Sequence, residues 1–431
     1  MSTTPAVCFV TLGCPKNEVD SDRMAALVEA SAYRLVTGPD DADVVVLNTC
    51  GFIQPATEES IAETFALAGE WRPVRSGRRL IIAGCMPSRY GAELEAALTE
   101  ADAFLPVAAE STLLEVVERL TGVPAAPRTP APRTASGPTA YLKVSEGCDR
   151  RCAYCTIPAI RGRFVSAPAE DLVAEARLLV DSGAKELVLV GQDSARWGRD
   201  LGHGADLAGL VEQLDRLEGD FRIRLIYLQP DGITDCLLET MATASRVCAY
   251  LDVPLQHASA PVLAAMGRGG DAERHLALLG RIRDALPDVT LRTTVMAGFP
   301  GETDDDVAVL EQFLAEAGFD YAGVFAYSAE EGTAAAAMPR QVPELLRAER
   351  AQRLRDVADT VGFARVARHV GSIQRVLVEG PDEDGEVTGR TCGQAPEVDG
   401  VTILESPAVA GTLVDVRMTD AVGYDLVGAL L

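Results

Sequence analysis

Three short runs of apolar, largely β-branched residues open the chain: AVCFVTLG, ADVVVLNT and RRLIIAG, at 6–13, 42–49 and 78–84. Each gives way to a turn and then to a helical stretch, the pattern of a doubly wound parallel sheet. Residues 121–138, TGVPAAPRTPAPRTASGP, carry no periodicity and read as an extended linker. From about 139 to 365 the alternation resumes with AYLKVS, ELVLVG, RIRLIYL, AYLDVP, TLRTTVMAG and YAGVFAY. Stretches such as AEDLVAEARLLVDSG and DDVAVLEQFLAEAG separate them, with apolar residues at helical spacing. Six β/α units in series predict a partial (β/α)6 barrel whose sites lie on the loops after its strands. A long helix over about 343–365 closes that segment. Beyond it IQRVLVEG, EVTGRT, GVTILE, TLVDVRMT and YDLVGALL, divided by Gly, Pro and Asp turns, predict a small antiparallel β-barrel. The expected class is α/β, with an N-terminal domain at 5–120, a linker at 121–138, a core at 139–365 and a terminal barrel at 366–431.

Composition narrows this picture in three ways. There is no run of eighteen apolar residues, and the opening MSTTPAVCFV is not a signal peptide, so a soluble cytoplasmic protein with no membrane partner is expected. In that compartment ten cysteines point to metal binding or catalysis rather than to disulfides. A net charge of −25 repels phosphate backbones and favours a basic protein as partner. The terminal barrel sharpens the sign, with four arginines (Arg368, Arg375, Arg390, Arg417) against eleven acids between Glu379 and Asp425, and no lysine. The chain's three lysines, Lys16, Lys143 and Lys185, follow no site.

The candidate chemistry lies in the cysteines. Cys148, Cys152 and Cys155 form a Cys-x₃-Cys-x₂-Cys loop after the first core strand, in YLKVSEGCDRRCAYCTIP. Three thiolates without a fourth nearby leave one coordination position open, as in a reactive iron–sulfur site. A zinc site completed by a distant ligand is the other reading. Cys14, Cys50 and Cys85 follow the three N-terminal runs, one each. In an open parallel sheet the carboxyl ends of the strands share an edge, so three cysteines remote in sequence are expected to converge. Small buried cysteines are also common in such cores. Cys8, Cys236, Cys248 and Cys392 show no partner pattern and read as structural, and His203, His275 and His369 show no metal spacing.

TLGCPKNEVDSDR, LNTCGF, GCDRRCAYCTIPAIRGRFVSAP, VGQD, LDVPLQHAS and GFPGET, in this order, resemble the methylthiotransferase subfamily of the radical S-adenosylmethionine (SAM) enzymes. TLGCPKN, GQDSARWG and APEVDGVTIL…YDLVG are similar to its branch that modifies an aspartate of small-subunit ribosomal protein twelve. The resemblance implies a cluster-binding domain, a radical-SAM core and a TRAM barrel. It implies that Cys148, Cys152 and Cys155 hold a [4Fe–4S] cluster whose open iron takes SAM, the source of a 5′-deoxyadenosyl radical. It likewise implies that Cys14, Cys50 and Cys85 hold a second [4Fe–4S] cluster that carries sulfur, and that a second SAM donates the methyl group. Further expectations are Tyr154 against adenine, Gln192 and Asp193 near SAM's polar groups, and Gly298 allowing close approach of the backbone. For Tyr154 and Gly298 the ordinary readings are loop packing and a tight turn. Arg161 reads equally as a surface residue or as one near SAM or substrate, and His257 as packed. Expected partners are the basic ribosomal protein, free or on the ribosome, and an electron donor such as flavodoxin or ferredoxin. The sibling branch acts on a tRNA adenosine, which an acidic barrel suits poorly. A non-catalytic iron–sulfur protein is the reading from another class.

Overall fold

In a computed structural model, which describes residues 4–126, 132–202 and 204–431, all three apolar N-terminal runs are strands. His203 and residues 127–131 of the expected linker lie outside the described residues. Strands Ala6–Thr11, Val44–Thr49 and Arg79–Gly84 form the middle of an all-parallel sheet. Its edges are two short strands that the hydrophobic pattern did not predict, Arg34–Leu35 and Ala103–Pro106. In chain order the strands lie 2-1-3-4-5, the flavodoxin-like arrangement, which reverses direction between the first and third strands. Val44–Thr49 is buried at every position, because helices cover both faces of a parallel sheet. One face packs Val7, Val44, Val46 and Ile81; the other packs Cys8, Val45, Leu47 and Ile82. Cys8 thus serves the core.

The chain divides into two compact units. The first comprises residues 1–134 together with 146–150 and 155–165, and the second takes the remainder. In the second unit, strands Thr139–Lys143, Glu186–Val190 and Arg222–Leu225 form one parallel sheet. Tyr250–Gln256, Thr290–Ala297 and Tyr321–Ala326 form another. Leu228 N donates to Asp252 O at 3.0 Å, joining the exit of the third strand to the fourth. These are the six predicted strands, in order, around a continuous apolar core that includes Leu142, Leu189, Leu225, Val253 and Val295. Helix Glu344–Val366 packs Ala351, Leu354 and Ala358 into the same core.

Strands Ile373–Pro381, Val387–Arg390, Thr402–Leu404, Leu413–Val422 and Asp425–Leu430 close into a barrel within this unit. It is not wholly antiparallel, since Thr402–Leu404 runs parallel to Asp425–Leu430. A two-residue alternation reports which face a residue takes but not the direction of its partner strand. No helix among the described residues is long and apolar enough to cross a membrane.

Candidate functional site

Each of the three N-terminal cysteines sits where a strand hands over to a helix. Cys14 caps helix Pro15–Glu29, Cys85 opens helix Cys85–Ala97, and Cys50 follows Val44–Thr49. Cys14 and Cys50 flank the point where the strand order reverses, the crevice in which open α/β sheets bind ligands. Helix N-termini add unpaired N–H groups and a positive dipole end, which favour thiolates. A glycine beside each cysteine lets the loops meet. A Cβ on Gly13, whose φ is +99°, would lie 2.8 Å from Cys50 Cβ. One on Gly51 would lie 3.0 Å from Met86 Cα, and one on Gly84 would lie 2.1 Å from Asn48 Oδ1.

Asn17 stands at the centre. Its Nδ2 donates to Leu12 O and Thr49 O at 2.9 and 3.0 Å, which ties two of the loops together. Its Oδ1 lies 3.9 Å from Cys14 Sγ and 3.6 Å from Cys85 Sγ. The same Oδ1 accepts from Arg161 Nη2 at 2.7 Å. Burial pushes the Cys50 and Cys85 thiols up, Cys85 to about 12, and Arg161 is the strongest influence pulling Cys85 back. The structure therefore gathers Cys14, Cys50 and Cys85 around one amide and one guanidinium, as the strand-edge rule predicts. Asn17, the glycines and Asp20, whose Oδ2 accepts from Arg161 Nη1 at 3.0 Å, are the parts that the sequence reading missed. The signals were present: Asn17 falls one helical turn after Cys14, and each cysteine has a glycine neighbour.

The Cys148–Cys155 loop is split in its packing. Cys148 and Cys155 belong to segments of the first unit, and Cys152 to the second. Arg150 N donates to Cys148 Sγ at 3.4 Å, and Thr156 Oγ1 donates to Phe52 O, beside Cys50, at 3.0 Å. In the second unit Arg268 Nη1 approaches Cys152 Sγ to 3.7 Å, and Tyr154 packs against the cluster of Leu263, Met266, Phe299 and Tyr327. Among the described residues no three His, Cys, Asp or Glu side chains close on a single metal ion. A cubane asks for something else, one thiolate on each of three separate irons.

At the carboxyl end of the core strands, Ser145, Ser194 and Gln229 follow the first, second and third strands. Ser145 Oγ, Ser194 Oγ and Gln229 Oε1 are buried without a hydrogen-bond partner in the structure. A Cβ on Gly191 would lie 2.6 Å from Ser145 Oγ and 3.4 Å from Ser194 Oγ. Buried hydroxyls without a partner beside a glycine fit a ligand with polar groups, as SAM has. Asp193 is fully buried at the same strand end, next to Gln192. Gln256 and Tyr227 hold φ at +71° and +61°, a strained conformation for such residues that concentrates at functional edges. Gly298, at φ +79°, donates its N–H to both Glu302 oxygens at 2.9 Å and packs on Arg347. His257 is buried, its Nδ1 accepting from Ala258 N and Ser259 N at 2.9 Å.

A cavity of about 710 Å³ lies at the other end of the core strands, bordered by Thr290, Arg283, Asp320, Arg365 and Cys392. Cys248 and Cys392, which no spacing links, hydrogen-bond each other there. That bond, with the charges of Arg222 and Arg224, brings the Cys392 thiol down to about 6.

Comparison with known proteins agrees with this architecture module by module. Residues 6–106 match the uncharacterized protein family UPF0004, 142–314 the radical SAM superfamily and 370–431 the TRAM domain. The class is thus a radical-SAM protein flanked by a UPF0004 domain and a TRAM barrel. The chain is 43% identical to the ribosomal protein uS12 methylthiotransferase RimO of Syntrophus aciditrophicus, over 98% of this chain and 97% of the relative. It is 41% identical to the protein of the same name from Moorella thermoacetica, over 98% and 99%. The chain belongs to the RimO family of radical-SAM methylthiotransferases. Among solved structures it is similar to the radical SAM methyltransferase TsrM of Kitasatospora setae with cobalamin and a [4Fe–4S] cluster bound. The TM-score is 0.56 at 16% identity, over 75% of each chain. The cobalamin-dependent SAM radical enzyme OxsB follows at a TM-score of 0.53 and 12% identity, over 83% of this chain and 56% of that one. At these identities the likeness is one of fold.

Proposed function

We propose that this chain attaches a methylthio group to the β-carbon of an aspartate in ribosomal protein uS12, at the expense of two SAM. The observation that carries the reading is the gathering of Cys14, Cys50 and Cys85 at one sheet edge, in a chain related along its whole length to uS12 methylthiotransferases. Cys148, Cys152 and Cys155 would hold one [4Fe–4S] cluster, and Cys14, Cys50 and Cys85 a second. The bound clusters and SAM supply one-electron cleavage, the methyl group and the sulfur. The protein's own part is placement. Helix N-termini and Arg161 offset the negative charge of the thiolates, and Arg268 does the same beside Cys152. Ser145 and Ser194, with Gln192, Asp193 and Gly298 nearby in sequence or at strand ends, would receive the polar groups of SAM. Tyr154 and its apolar neighbours exclude water from that side.

Charge favours a basic protein over tRNA. The barrel is strongly acidic, and three of its four arginines are already engaged, Arg390 by Glu186 and Glu379, Arg375 by Asp220 and Arg368 by Asp320. We place the reaction in the cytoplasm, on free or ribosome-bound uS12, with a flavodoxin- or ferredoxin-like reductant. The test incubates anaerobically reconstituted enzyme with SAM and dithionite, and with either uS12 or tRNA. Methylthio mass is expected on uS12. Mass gained on tRNA alone, or no 5′-deoxyadenosine at all, would overturn the reading.

A further inference from the structure

Arg161 is the least ordinary side chain in the first unit. It ends the short helix Ile157–Arg161, on the same segment as Cys155, yet its side chain is only 1% exposed. Nη1 donates to Asp20 Oδ2 at 3.0 Å and to Glu146 Oε1 at 3.1 Å. Nη2 donates to Asn17 Oδ1 at 2.7 Å, the atom that also faces the Cys14 and Cys85 sulfurs. Arg161 further hydrogen-bonds Cys85 itself. Asp20 is equally buried, so the guanidinium is clamped between a carboxylate behind it and the cysteine site before it. Burial by itself would work against the charge on Arg161, but Cys85, Asp20 and Glu146 hold it firmly protonated.

A buried cation so placed has a chemical consequence for whatever the three cysteines bind. A cubane on three thiolates is anionic and becomes more so on reduction. Its potential depends on net charge, on hydrogen bonds to its sulfurs and on exposure. A guanidinium donating toward a ligand sulfur and its supporting amide supplies the first two. We propose that Arg161 is the positioning and charge-compensating residue of the Cys14–Cys50–Cys85 cluster, delivered to it by the segment that carries Cys155. Arg161 holds Asn17 between two of the ligands and makes reduction of that cluster easier. The same residue ties the segment that carries Cys155 to the Cys14–Cys50–Cys85 site, within a single compact unit. This inference rests on the reading that these three cysteines bind a cluster.

The experiment uses the full chain with Cys148, Cys152 and Cys155 replaced by Ala, so that only the N-terminal site can be filled. Iron per chain and an EPR-monitored redox titration are measured with Arg161 native, then as Arg161→Gln, Arg161→Lys and Asp20→Asn/Arg161→Gln. With Arg161 native, about four irons are expected. Arg161→Gln is expected to make reduction about tenfold less favourable, a shift of about 59 mV to more negative potential. Arg161→Lys, which keeps the charge, should recover part of the shift. Arg161→Gln alone strands Asp20, a buried carboxylate, and can fail to fold. The double variant removes that charge as well and should bind iron with the shift still negative. Four irons with an unchanged potential in both Gln variants would overturn the inference. Absence of iron with Arg161 native would instead overturn the cluster reading on which it stands.

Discussion

A buried carboxylate of the core helps to hold the terminal barrel to it, and neutralising it should loosen that seam. Glu186 begins the second core strand and is fully buried. Arg222 Nε reaches it at 2.6 Å, Arg224 Nε at 2.7 Å and Arg390 Nη1, from the barrel, at 3.1 Å. The arginines then reach onward: Arg222 Nη1 to Arg390 O at 3.0 Å, and Arg224 Nη1 to Cys392 O at 2.8 Å. Glu186→Gln keeps the shape but leaves three guanidiniums facing each other around a neutral amide. Breaking a buried ion pair by removing one partner costs about 3–5 kcal/mol, because the remaining charge stays buried and uncompensated.

Of the chain's two tryptophans, Trp197 lies in the core and Trp71 in the N-terminal unit, so Trp71→Phe leaves Trp197 fluorescence as the reporter of the second unit. In that background the urea midpoint of Glu186→Gln should fall by about 1–2.5 M, taking a slope of about 2–3 kcal/mol per M. The pH dependence has a definite sign. The three guanidiniums hold the Glu186 carboxyl well below the usual carboxylate range, despite burial that works the other way. Its stabilisation is therefore complete above the unfolded value of about 4.3 and is lost as pH falls below it. The gap between native and variant should be flat from neutral pH to about 5.5 and shrink on further acidification. A midpoint shift under about 0.3 M, or a gap that widens in acid, would refute the argument.

Two further outcomes follow from the cysteine site. Cys152→Ala should abolish 5′-deoxyadenosine formation, whereas Cys50→Ala should keep it and lose methylthiolation of uS12; full methylthiolation by Cys50→Ala would remove the second site from the reaction. Gly84→Ala places a methyl against Asn48 and Thr49 O at φ +92°, where strain costs about 1–3 kcal/mol. Iron per chain in that variant should fall from about eight toward about four, read by colorimetric assay after anaerobic purification.

How much of this was legible beforehand depends on what each feature is made of. The central strands of two of the three parallel sheets could be read because burial on two faces forces uninterrupted apolar runs, as in VVVL and LVLV. Arg34–Leu35 and Ala103–Pro106 could not, since edge strands of two and four residues carry too little pattern to stand out. The parallel pair inside the terminal barrel was hidden for a different reason: side-chain alternation is the same for either strand direction. The cysteines of the candidate site were legible because a parallel sheet turns sequence position, the residue just past a strand, into a shared place in space. Arg161 had no such rule. In AIRGRF it reads equally as a surface residue or as one near SAM or substrate, and only the folded path buries it against Asp20 and Asn17. Yet the demand it meets could have been inferred. Three thiolates brought to one buried edge require a cation, and the helix after Cys14 offers an amide and a carboxylate, Asn17 and Asp20, to receive one. The sequence thus specifies the charge that is missing from the site before it reveals the residue that supplies it.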